Sequence, residues 1–235
     1  MKRFGTALCA AVMLAFGLGT ARAAEPAHTT FSPAPPGMVM QNQLAYLSGE
    51  GMQSQWRTVL SRKIVGASHG QTFYQYFLSI YRINGDVYEL QYQSPTEKIP
   101  FATVTKAAGA PMWFPSQSAK IVGAGEFMGP GAQQVVVQSK AVGADCGTAH
   151  VDVLYYDASM HMIMTTLSVE NPCGLDAKIV RGKNGDELQL TGPYYAKDAP
   201  LYKPTKPHAT ATLHFVNGKG VWAQTPAYFK IVTTP

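Results

Sequence analysis

Residues 72–92 read Thr-Phe-Tyr-Gln-Tyr-Phe-Leu-Ser-Ile-Tyr-Arg-Ile-Asn-Gly-Asp-Val-Tyr-Glu-Leu-Gln-Tyr. Two runs dense in Tyr, Phe, Ile and Val flank Asn84-Gly85-Asp86. An Asn-Gly pair between β-prone runs is a strong hairpin signal, because both residues accept the positive φ that a tight turn demands. The same pair stands at Asn184-Gly185, between Ile179-Val180 and Glu187-Leu188-Gln189-Leu190. It stands again at Asn217-Gly218, between Thr212-Leu213-His214-Phe215 and Val221-Trp222. Further strands are predicted at Gln133–Ser139, Val151–Tyr156 and Met160–Leu167, the last two joined by Asp157-Ala158-Ser159. Hairpins repeated along a chain make an antiparallel fold.

Composition agrees. Charged residues are only 14% of the chain, against 22 glycines and 16 prolines, where a helical bundle draws on Glu, Lys, Ala and Leu. The expectation is a mainly β protein, a hairpin-built sandwich or barrel-like single domain over residues 38–235. Residues 24–37 carry four prolines and little to bury, so they read as an extended or disordered Pro-rich leader. A short helix over Gln53–Arg62 stays open, because Trp56, Val59 and Leu60 fall at helical spacing.

The first 23 residues read as a cleavable export signal. Met1-Lys2-Arg3 is basic, Phe4–Leu18 is apolar, and Ala21 and Ala23 occupy the small positions that signal peptidase requires. The expected address is periplasmic or secreted, in a bacterial envelope. The apolar run is too short to persist as a spanning helix, and Ala24, not a cysteine, follows the cleavage point, so no lipid anchor is expected. Lys2, Arg3 and Arg22 leave with the signal and no acid does, which leaves 16 basic and 14 acidic residues. The formal charge of +5 thus belongs largely to the discarded segment and does not point to nucleic acid. Cys9 leaves as well, and the even pair Cys146 and Cys173 then reads as one disulfide in an oxidising compartment.

Three constellations bear on chemistry. Gly66-Ala67-Ser68-His69-Gly70 fits the Gly-x-Ser-x-Gly elbow, in which a strand turns sharply into a helix and exposes a nucleophilic serine. A β-prone run follows it here instead, so no catalytic residue is assigned, and a serine hydrolase using Ser68 is kept as a rival reading. Met160-His161-Met162-Ile163-Met164 would align Met160, Met162 and Met164 on one face of a strand. Thioethers suit Cu(I), so a periplasmic copper-binding protein is the second rival, against core-filling methionines. Neither a cofactor nor a metal site is assigned. The third is aromatic: Tyr194, Tyr195, Tyr202, Lys203 and Trp222 combine ring faces with polar handles, which suits sugars or protein partners.

Two short stretches resemble known families. Gly125-Glu126-Phe127-Met128-Gly129-Pro130-Gly131, followed by Gln134-Val135-Val136-Val137, resembles one FG-GAP-type repeat, which implies a calcium loop before a strand. Met128, Pro130 and Gln134 stand where that loop wants Asp or Asn, and calcium needs several hard oxygens; the loop reads as a metal-free turn. Residues 192–218 are similar to exported bacterial domains of unknown function with a Cys-Cys-Pro-Ser motif, with Tyr202-Lys203 in place of the cysteines. The functional expectation is a non-enzymatic binding or structural module whose contact segment is 193–206 and whose partner is an envelope protein or a glycan.

Overall fold

The computed structural model describes residues 34, 37–48, 54–68, 71–93, 116–141, 147–157, 162–217 and 219–232. Strands fill most of them, and no helix occurs among the described residues. The first four strands are β1 (Val39–Ser48), β2 (Ser54–Ser68), β3 (Gln71–Asn84) and β4 (Val87–Gln93). The next four are β5 (Ser116–Gly125), β6 (Gln134–Ala141), β7 (Thr148–Asp157) and β8 (Met162–Pro172). A second sheet follows: β9 (Asp176–Arg181), β10 (Asp186–Tyr194), β11 (Lys206–Val216) and β12 (Val221–Thr225). The last strand, β13 (Lys230–Val232), returns to pair with β8.

All the pairings are antiparallel. The large sheet runs β1-β2-β3-β5-β6-β7-β8-β13, with β4 paired to β3; the small sheet runs β12-β11-β10-β9. Each Asn-Gly turn falls where the sequence places it. Asn84 pairs with Val87 across Gly85, whose φ is 60°. Arg181 pairs with Asp186, and Val216 with Val221. The Asp157-Ala158-Ser159 turn connects β7 to β8, and its last two residues lie outside the described ones.

The helix over Gln53–Arg62 is corrected: Ser54–Ser68 is a strand. Trp56, Thr58 and Leu60 face one side, while Val59 and Ser61 face the other, and all five are buried. A strand buried on both faces loses its polar alternation, so Trp56, Val59 and Leu60 mimic a helical stripe.

Two hydrophobic cores share β5–β8 as their common wall. One core joins Val136, Val151, Val153, Leu167 and Val169 of that wall to Leu188, Leu190, Leu213 and Trp222 of the small sheet. The other joins Ile121, Val135, Val137, Leu154 and Ile163 to Trp56, Leu60, Tyr76, Leu78 and Ile80 of β2–β3. Successive residues of a strand point to opposite sides, so the run Val135-Val136-Val137 feeds both cores in turn. The chain doubles back at one rim, where Leu47 N–H donates to Gln133 Oε1 at 3.0 Å.

Primary amides fasten the loops. Gln134 Oε1 accepts from Phe127 N–H at 2.8 Å and Met128 N–H at 3.4 Å, and its Nε2 donates to Ala132 O. Gln138 bridges from β6 to the start of the small sheet, donating to Leu175 O at 2.7 Å and accepting from Ala177 N–H at 3.1 Å. Asn171 donates to Gly174 O and Pro193 O. Buried backbone groups need such partners, and an amide offers both a donor and an acceptor.

Candidate functional site

The segment between β10 and β11 is a structured excursion. Ala196 N–H donates to Thr205 Oγ1 at 2.9 Å, Ala199 N–H to Ala196 O at 3.0 Å, and Lys203 N–H to Pro200 O at 2.9 Å. Asp198 takes a positive φ of 67°, which Asp tolerates better than most residues. These bonds turn the chain so that Leu201-Tyr202-Lys203 stands out at its tip. Tyr202 is 89% exposed, and the Leu201 carbonyl lies 3.9 Å from Cys173 Sγ. A large ring held in water by an internally bonded turn presents contact area at low ordering cost.

At the foot of this turn Tyr194 packs on Tyr228, with ring centroids 4.9 Å apart. Lys206 lies over the Tyr228 ring, 4.6 Å from its centroid, and donates to its hydroxyl. Partial burial raises the Tyr195 hydroxyl above its ordinary pKa. Four of the five residues singled out from the sequence, Tyr194, Tyr195, Tyr202 and Lys203, therefore belong to one turn and its base. Trp222 stands apart: it is buried in the core, 5.4 Å from Phe127 and 5.7 Å from Phe215 between ring centroids.

The other candidates are placed less fully. Ser68 ends β2 and pairs with Gln71, the first residue of β3. The chain there runs from strand to strand, where the nucleophile elbow needs strand to helix; His69 and Gly70 lie outside the described residues. In the methionine row, Met160 and His161 lie outside the described residues, and Met162 and Met164 belong to β8, paired with Asp157 and Tyr155. Cys173 N–H donates to Gly147 O at 2.8 Å, and Cys146, the preceding residue in the chain, lies outside the described residues. The loop resembling an FG-GAP repeat joins β5 to β6 and docks on the small sheet, where Glu126 N–H donates to Asp186 Oδ2 at 2.9 Å.

A further feature carries no motif. At one end of β1–β3, Gly37, Val39, Arg62, Lys63, Ile64 and Tyr74 line a cavity of about 410 Å³. The Arg62 guanidinium lies 4.0 Å from the centroid of the Tyr74 ring. The signal available in the sequence is one of charge: β1, β2 and β3 contain Arg57, Arg62, Lys63 and Arg82 and not one Asp or Glu.

No family model matches the chain, and neither a curated protein nor a solved structure matches it.

Proposed function

We propose that this chain is an exported protein of a bacterial envelope that works by binding, with the turn Pro200–Lys203 as its contact point. Residues 1–23 supply the export signal in this reading. The observation that carries it is the 89% exposure of Tyr202 on a turn closed by its own hydrogen bonds. Tyr rings anchored beside lysines favour a protein surface or the apolar face of a sugar. Such a residue contributes little to folding and leaves its ring open to a partner.

The same proposal pairs Cys146 with Cys173. It is supported by the bond from Cys173 N–H to the carbonyl of Gly147, the residue that follows Cys146 in the chain. The bridge would seat next to Leu201 and brace the turn that carries Tyr202. Intact mass of the exported chain with and without reduction, after alkylation, counts the free thiols; two alkylated cysteines before reduction would remove the bridge.

The contact itself is tested by placing a photoreactive phenylalanine analogue at position 202 in cells that export the chain. A discrete adduct is expected from position 202 and none from position 214, an exposed site on the neighbouring strand β11. Equal or absent labelling at the two positions refutes the assignment.

A further inference from the structure

We infer that the cavity at the end of β1–β3 binds a small anionic amphiphile, a carboxylate carried on an apolar chain. This site is remote in sequence from the Tyr202 turn and does not depend on it.

The register places the lining. Val39 pairs with Arg62, Arg62 with Tyr76, and Ile64 with Tyr74. Alternate residues of a strand share a face, so Arg62 and Ile64 lie on the side of Leu60, and Tyr74 on the side of Tyr76 and Leu78. Those residues belong to the second core. The cavity therefore opens as the mouth of that core. Leu60 and Leu78 are fully buried, yet two steps further out Ile64 is 67% exposed, and Val39 across from it is 64% exposed. Apolar side chains left in water at the lip of a core gain by covering, at roughly 25 cal/mol per Å² removed from water. A volume of about 410 Å³ falls among ordinary small-ligand sites.

The head group follows from the charge. The Arg62 guanidinium lies over the Tyr74 ring, 4.0 Å from its centroid, and carries no acid partner among the described residues. Lys63 alternates to the other face of β2, 5.3 Å from the Phe77 ring centroid, and adds positive charge nearby rather than a contact with the head group. The three strands carry no Asp or Glu, so among the described residues of β1–β3 no acid opposes an incoming anion. The planar guanidinium fork of an arginine matches a carboxylate through two parallel hydrogen bonds. The lining thus offers an apolar lip for a chain and an unopposed guanidinium for its head.

Isothermal titration of the purified chain with dodecanoate, kept monomeric, tests the site, with dodecanol as the uncharged control. Saturable one-to-one binding of dodecanoate is expected, with dodecanol weaker by about tenfold or more, the scale of a charge-assisted hydrogen bond. Arg62→Gln should weaken dodecanoate by about the same factor and leave dodecanol unchanged. Ile64→Ser, at a position too exposed to disturb folding, should weaken both ligands. The inference is overturned if the wild-type chain shows no saturable binding. It is also overturned if dodecanol binds as well as dodecanoate, or if a folded Arg62→Gln protein binds dodecanoate as tightly as the wild type.

Discussion

Gln134→Leu should be among the most damaging single changes outside the aliphatic cores. Gln134 is 1% exposed and satisfies three backbone groups, the N–H of Phe127, the N–H of Met128 and the carbonyl of Ala132. Leucine keeps nearly the same volume, so cavity formation contributes little. What it removes is every partner the side chain supplies. The Met128 bond is long at 3.4 Å and counts for little. The other two groups are left unmet at about 1–3 kcal/mol each, a total of about 2–6 kcal/mol. For a domain of this size that lowers Tm by about 10 °C. The loop affected holds Phe127 against Trp222, with ring centroids 5.4 Å apart, so tryptophan fluorescence reports on the region directly. Urea unfolding of both proteins gives the difference, with equal m-values showing that the denatured state is unchanged. A loss below about 1 kcal/mol would mean that the amide does not hold this loop, and the reasoning would fail.

Three further outcomes follow from burial and close approach. Leu190→Ala, at a fully buried position of the first core, should cost about 2–5 kcal/mol in the same denaturation assay; a cost under 1 would show a core able to collapse around the gap. Gly192→Ala would set a Cβ 2.8 Å from the Gly174 carbonyl oxygen and 3.1 Å from Asn171 Nδ2. The loop bonded by Asn171 must then shift, at about 1–3 kcal/mol, and an unchanged Tm would refute that fit. Asp152 has its carboxyl raised above 3.8, first by burial, against the lowering effects of the Ser168 hydrogen bond and the His150 charge. The native state thus holds this proton more tightly than the unfolded chain. The stability it contributes is complete below the unfolded pKa and is lost as pH rises through the native one. Asp152→Asn should therefore gain on the wild type as pH increases from below 4; a flat difference across that window would contradict the assignment.

The hairpins and the β class were legible from the sequence alone, because turn chemistry is local. Asn84-Gly85, Asn184-Gly185 and Asn217-Gly218 each declare a reversal through their own backbone preferences, whatever lies elsewhere in the chain. The cluster of Pro, Tyr and Lys around Tyr202 was likewise visible, but not the turn that exposes its ring. Which way each side chain points was not legible, since that is set by pairing partners distant in sequence. The run Val135-Val136-Val137 gives no hint that its middle residue serves one core and its neighbours the other. Trp56, Val59 and Leu60 imitate a helix because β2 is buried on both faces. Trp222 reads like its exposed neighbours until Phe127 and Phe215 close over it. Arg62 and Tyr74 meet across strands two and three only through the register of Ile64 with Tyr74. Local propensity thus decided where the chain turns, and long-range pairing, which fixes faces and neighbours, decided which side chains are buried and which are left exposed.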